Sequence, residues 1–310
     1  VTASDAALTA ATAVSVNDDQ VSVGVSVGAG VEAQAGPVEV LRARFADQAV
    51  PARECRTPYL HPLRTLSGGV VTGHRPHDHR WHKGLTMAVP HAAGTNFWGG
   101  PSYVDGLGYV DLGDVGRVAA GAFQVLVDDT IAAELAWIGA DGVPLLAERR
   151  SFAVRDVNPA AGCWTLEFRS ELRTLGADPV AFKSPTVLGR DQAGYCGFFW
   201  RGPRSFTGGR VLAGNGLEGA EALMGERAPW LAYIGEFDER DGFATLLFIP
   251  DGAPPEWFVR SDDYPGVNPS LAFRRPRVLA AGERLAVGYR VVIADGAWSR
   301  ERIGEFLRGL

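Results

Sequence analysis

The chain has 310 residues, 46% of them hydrophobic and 21% charged, with a formal net charge of −6. That length holds one large β domain or two smaller ones, and the acidic balance argues against a nucleic-acid partner, which needs a basic face. Cys55, Cys163 and Cys196 are too few and too dispersed for a disulfide framework or a cysteine-based zinc site.

The N-terminus lacks the basic and apolar regions of a secretory signal. No apolar run reaches the roughly 18 residues of a membrane span. A cytoplasmic setting with no membrane partner is therefore expected. Residues 1–18, rich in Ala, Thr and Ser, are expected to be poorly ordered. Val21, Val23, Val25 and Val27 then alternate with small or polar residues, the period of a half-buried strand, and residues 38–45 repeat the pattern.

Next comes the densest chemistry of the chain. All six histidines, His61, His74, His77, His79, His82 and His91, lie in one short window. Imidazole titrates near neutrality and is the commonest metal ligand. The run His74–Gly84 also carries Asp78, two arginines, Lys83 and Trp81, a mixture for which a hydrophobic core has no use.

Residues 101–118 are glycine-punctuated and acidic, and read as a loop or short hairpins. Strands follow at 123–127 and 131–138. Gly139-Ala-Asp-Gly142 supplies a hairpin turn into a partner strand over 143–154. Over 164–173 the alternation puts Trp164, Leu166, Phe168 and Leu172 on one face, and Thr165, Glu167, Arg169, Glu171 and Arg173 on the other. Further strands are expected at 194–201, 231–236, 243–249, 257–260 and 286–293. Ser299 caps a short C-terminal helix with Ile303, Phe306 and Leu307 on one face. Nothing between the strands has the amphipathic period of βαβ units, and no internal repeat is found. The expected fold is all-β: a large antiparallel two-sheet β-sandwich over residues 19–310, read as a single domain.

Within this frame Asp78-His79-x-x-His82 is the leading site. The two imidazoles act as acid and base, or as ligands of a divalent metal, with the carboxylate orienting one of them. A turn would bring positions three apart to one side, whereas a flat strand would splay them. His61 and His74 are pocket members or hydrogen-bonded structural histidines, and His77 and His91 read as surface residues. Trp98 and Trp81 offer faces for a sugar ring, and Asn96 would hold its hydroxyls. Glu148 and Arg150 share a face, either as an ion pair on a solvated sheet or in the pocket. Arg201 and Arg260 each end an aromatic strand, where a guanidinium needs a carboxylate or a ligand. Tyr264 and Asn268 follow Arg260, the tyrosine as a general acid or base. There is no Gly-x-Gly-x-x-Gly, P-loop or Gly-x-Ser-x-Gly motif, so bound NAD or ATP is not expected.

Several stretches resemble the family labelled DUF6807, also labelled methane oxygenase PmoA. They are Arg56-Thr-Pro-Tyr-Leu-His-Pro62, Asp78-His79-x-x-His82-Lys83-Gly84, Asn96-Phe-Trp98-Gly and Glu148-Arg149 after a hairpin. Gly194-Tyr-Cys-Gly-Phe-Phe-Trp-Arg201, and Trp257-Phe-Val-Arg260 with Tyr264 and Asn268-Pro269, complete the set. The resemblance implies a galactose-mutarotase-like β-supersandwich, and it adds Lys83 to the candidate pocket. The expected function is a sugar lyase or isomerase acting by epimerisation, mutarotation or β-elimination. His79, His82, Asp78 and Tyr264 are its chemistry. His61, His74, Lys83, Asn96, Trp98, Glu148, Arg201, Arg260 and Asn268 bind its carbohydrate substrate. A divalent metal on His79 and His82, a homo-oligomer, and a non-catalytic sugar-binding module or subunit of a sugar-oxidising assembly stay open as alternatives.

Overall fold

A side-chain period of two puts one set of residues on the core and the other outside, and the alternating stretches of this chain do form strands. The computed structural model describes residues 9–28, 36–238 and 240–309. The first strands are β1 (Thr9–Asn17), β2 (Gln20–Gly28), β3 (Val38–Arg44), β4 (Tyr59–Leu63), β5 (Leu85–Ala88), β6 (His91–Ala92), β7 (Ser102–Val104) and β8 (Gly108–Val110). The middle of the chain gives β9 (Arg117–Val125), β10 (Ile131–Ile138), β11 (Pro144–Asn158), β12 (Cys163–Thr174), β13 (Val180–Lys183), β14 (Gly197–Arg201) and β15 (Arg210–Ala213). After the single-turn helix α1 (Ala220–Leu223) come β16 (Leu231–Glu236), β17 (Phe243–Pro250), β18 (Glu256–Arg260), β19 (Gly266–Ser270), β20 (Arg277–Leu279), β21 (Arg284–Asp295) and the helix α2 (Arg300–Arg308).

Two eight-stranded sheets result, in the orders β1-β2-β3-β4-β5-β14-β19-β18 and β15-β16-β17-β21-β12-β11-β10-β9. Their strand pairs are antiparallel throughout. One hydrophobic cluster joins the inner faces. Val23, Leu41, Phe198, Trp200 and Trp257 come from the first sheet, and Trp137, Trp164, Leu166, Phe168 and Val291 from the second. The Phe198 ring lies 5.1 Å from Phe168 and 4.3 Å from Tyr289 across the gap. Burying each such side chain is worth roughly 1.5–3 kcal/mol, so this shared face holds the sandwich together.

The expected all-β sandwich with a C-terminal helix is what forms. Ser299 caps α2, its hydroxyl accepting from the Arg302 N–H at 3.3 Å. Ile303, with Phe306 and Leu307 beside it, packs with Trp298 on the outer face of the second sheet. No helix among the described residues is long and apolar enough to cross a membrane. Two local readings change. Residues 9–17, expected within a poorly ordered segment, pair with β2 as strand β1, because Val14 and Val16 lie opposite Val23 and Val21; residues 1–8 lie outside the described residues. The strand expected at 123–127 begins at Arg117, since residues 117–120 pair with β10 despite their glycine-rich approach.

The outer face of the first sheet positions the site. In β14, Phe198 and Trp200 point to the core, so Phe199 and Arg201 point the other way. In β18, Trp257 and Val259 are core, and Phe258 and Arg260 face a cavity instead.

Candidate functional site

The loop between β4 and β5 carries His74, His77, His79 and His82. His74 and Lys83 form a bridge at its neck, where Arg75 N–H donates to the His82 carbonyl at 2.8 Å. Beyond the neck, His79 N–H donates to Pro76 O at 3.1 Å and His82 N–H to His79 O at 2.9 Å. That second turn sets the three-residue spacing on one side. The His79 and His82 rings stack with centroids 4.8 Å apart, 20° from parallel. Gly84 closes the neck at φ 54°, where a Cβ would meet the Leu60 carbonyl oxygen at 2.1 Å; only glycine fits there. The Arg201 N–H then donates to the Gly84 carbonyl at 2.8 Å, fixing the end of β14 beneath the histidines.

A cavity of about 480 Å³ opens beside the stacked rings. His79, His82, Trp81, Trp98, Tyr195 and Tyr264 line it, with Gly99, Pro101, Tyr109, Arg190, Phe258, Arg260 and Asp263. Of the sequence candidates the structure thus brings together His79, His82, Trp98, Arg260 and Tyr264. Asp78 stands one step behind, its carboxylate 2.8 Å from His79 Nδ1 and also paired with Arg204. Arg201 stands behind on the other side. Its Nη1 is 3.3 Å from His82 Nδ1, and its guanidinium carbon lies 4.4 Å from the Tyr264 ring centroid.

These partners fix the protons. A carboxylate only accepts, so His79 Nδ1 carries hydrogen, and in the neutral ring Nε2 holds the lone pair. A guanidinium only donates, so His82 Nδ1 accepts and its Nε2 carries the hydrogen. Burial first, then the charges of Arg201, His79 and Lys83, hold the His82 pKa well below the usual imidazole value, keeping it neutral. Burial acts to raise the Asp78 carboxyl, but the His79 hydrogen bond and neighbouring charges outweigh it, and its pKa sits low. Burial pushes the Tyr264 phenol up to about 12 against the nearby guanidiniums, so it stays a donor. The two imidazoles are therefore complementary: one offers a base, the other a proton-bearing nitrogen.

Other candidates turn out to build the site without lining this cavity. Lys83 is 1% exposed and spends its ammonium on three carbonyls, Glu54 (2.7 Å), Cys55 (3.0 Å) and Trp81 (3.2 Å). Asn96 is likewise spent. Its amide donates to Gly100 O and Ser102 Oγ and accepts from the Trp98 and Gly99 N–H groups, so it shapes the loop that presents Trp98. Asn268 accepts from Cys196 N–H at 2.9 Å and donates to the Phe198 carbonyl, tying β19 to β14. Glu148 lies with Arg150 between the sheets, a buried ion pair at 2.7 Å and neither a solvated nor a pocket pair. His61 and His74 stack on each other at 4.8 Å, His74 also on Tyr59, and neither lines the cavity.

A metal on His79 and His82 does not suit this arrangement. Among the described residues no three His, Cys, Asp or Glu side chains gather to hold an ion. Asp78 is engaged by His79 and Arg204, and His82 Nδ1 faces the Arg201 cation. Residues that sequence reading missed are Arg190, Tyr109, Tyr195 and Asp263 on the cavity wall and Arg204 behind Asp78. Tyr109 comes from the middle of β8, and Arg190 from the loop before β14. Their long separation from the histidine window left no local signal.

The neutral histidines make stability pH-dependent. Burial, then the charges of His74, Arg64 and Arg42, lowers the His61 pKa to about 3, and His82 is also depressed. Unfolded imidazoles protonate near pH ~6.5. Below that the unfolded chain binds more protons than the folded one, and stability is lost as pH falls. Urea midpoints should drop steadily between about pH 7 and pH 4.5, and less steeply in His61→Asn. A flat profile would contradict the neutral buried rings.

A comparison with solved structures finds galactose 1-epimerase from Lactobacillus acidophilus NCFM, 8% identical, with TM-score 0.37, covering 94% of this chain and 100% of that one. No curated protein matches the sequence. A family model described as a family of unknown function, DUF6807, matches residues 30–308. The chain belongs to the DUF6807 family.

Proposed function

We propose that this chain is an enzyme that moves a proton on a small carbohydrate, at an anomeric hydroxyl or at a carbon next to a carbonyl. The observation that carries the reading is the pair of stacked imidazoles with opposite proton placement facing one cavity. His79 Nε2 takes the proton, and the Asp78 carboxylate steadies the imidazolium that forms. The Nε2–H of His82 and the Tyr264 hydroxyl donate to the substrate oxygen that gains charge. Aromatic faces at Trp81, Trp98 and Tyr195 suit the C–H side of a sugar ring. Returning the proton to the other face gives epimerisation, and losing a β-substituent instead gives elimination.

The same walls would serve a module that only binds sugar, and the aromatic lining favours that second reading equally. Incubation of the purified protein with a panel of aldoses, 3-keto sugars and uronates in deuterated water separates the two. Proton NMR should show protein-dependent loss of a C–H signal or faster anomer interconversion in at least one member. Binding of a panel member with no exchange, interconversion or elimination would move the assignment to a binding module.

A further inference from the structure

Three guanidiniums surround the cavity, and none forms a salt bridge among the described residues. Arg190 donates to the Tyr109 hydroxyl and lies 4.9 Å from that ring's centroid. Arg260 donates to the Gln192 carbonyl at 3.1 Å. Among the described residues neither guanidinium makes a further side-chain hydrogen bond, and both line the cavity. Arg201 is 1% exposed, and among the described residues its Nε has no hydrogen-bond partner. A buried cation without a counter-charge is costly to keep. Among the described residues Asp263 is the lone carboxylate lining the cavity, and Asp78 is already paired with Arg204.

We infer that the substrate is itself a carboxylate, a sugar acid whose carboxyl group is gripped by Arg190 and Arg260 while Arg201 adds charge from behind His82. This rests on the reading of the cavity as the substrate site. The planar forks of two arginines suit carboxylate and phosphate alike. The chemistry selects the carboxylate. When His79 Nε2 removes a proton from the carbon bearing the carboxyl group, the C–H electron pair moves into that group. It becomes an enediolate with a second negative charge, which the two guanidiniums neutralise. A phosphate ester offers no such place for the electron pair. The buried Arg201 makes the same field permanent, and it acts as a positioning residue by holding the His82 tautomer.

The test compares binding of D-glucuronate and D-galacturonate with their uncharged amides, with the parent hexoses and with the 6-phosphates, by calorimetry on the full chain. The acids are expected to bind roughly tenfold or more tighter than the amides. Arg260→Gln and Arg190→Gln should each remove most of that difference while melting near the wild-type temperature. Arg260→Lys, which keeps the charge and loses the fork, should fall between. Equal affinity for acid and amide, or preference for the hexose, would overturn the inference and leave the cavity as a neutral-sugar site. Tighter binding of the 6-phosphates would also overturn it, in favour of a phosphosugar. Failure of every compound to bind would sink the inference together with the sugar-site reading.

Discussion

His79→Gln is expected to slow proton transfer to and from the sugar about 10²–10⁴-fold, with little change in melting temperature. Glutamine keeps a polar side chain of similar reach but has no nitrogen that titrates near neutrality. The His79 side chain is about one-third exposed, so its loss leaves no sealed cavity behind. Asp78→Asn is the more informative companion. The amide can still meet His79 Nδ1 at its present 2.8 Å, but it carries no charge to stabilise an imidazolium, and either end of it can face the ring. Its rate should fall by at least about tenfold, because an imidazole without its carboxylate is a weaker base and its imidazolium form is left without a counter-charge. Single-turnover rates of exchange and circular-dichroism melts check both variants. A His79→Gln enzyme that exchanges at the wild-type rate would remove this residue from the chemistry and leave His82 or Tyr264 to carry it.

Much of the fold was legible in the alternation. The strands at 131–138 and 231–236 end where the sequence pattern ends, because each begins and stops at turn residues. The inner face of β12 was readable as Trp164, Leu166, Phe168 and Leu172 for the same reason. The cavity was legible only through residues close in sequence to one another. Asp78, His79 and His82 announce themselves by spacing, and a turn hydrogen bond between His79 and His82 makes the spacing work. Arg190, Tyr109 and Asp263 reach the same cavity from three separate connections, and periodicity says nothing about which loops meet. Chemical type was also an unreliable guide to role. Lys83, Asn96 and Asn268 look like ligand-binding residues, yet their polar atoms are spent on other groups of this chain, backbone groups except for the Ser102 hydroxyl that Asn96 meets. A polar residue inside a conspicuous motif thus serves the backbone of the motif as readily as its ligand.

Glu148 gives the largest expected loss of stability. Alternation correctly put Glu148 and Arg150 on one face, but it could not say which face, and the structure turns them inward. The carboxylate accepts from Arg150 Nε (2.7 Å) and Nη2 (2.9 Å), from Trp137 Nε1 (2.7 Å) and from the Ser170 hydroxyl (2.8 Å). Removing it strands a cation in the space between the sheets, where Arg150 would keep only the Pro58 carbonyl at 3.1 Å, and it orphans an indole N–H and a hydroxyl. Glu148→Ala is therefore expected to cost about 3–5 kcal/mol, read as a lower urea midpoint at unchanged slope. Breaking the pair should be worse than abolishing it. Glu148→Leu with Arg150→Met should recover much of the loss, since well-packed apolar residues often replace a buried pair without penalty. A double variant as unstable as Glu148→Ala would mean that the network holds something besides itself, and Pro58 is the place to look. Thr86 also donates to that carbonyl, at 2.9 Å. The chain just before it, at Glu54 and Cys55, is what Lys83 grips to hold the histidine loop. In that case exchange activity per folded molecule would fall along with stability, whereas a purely local network leaves it unchanged.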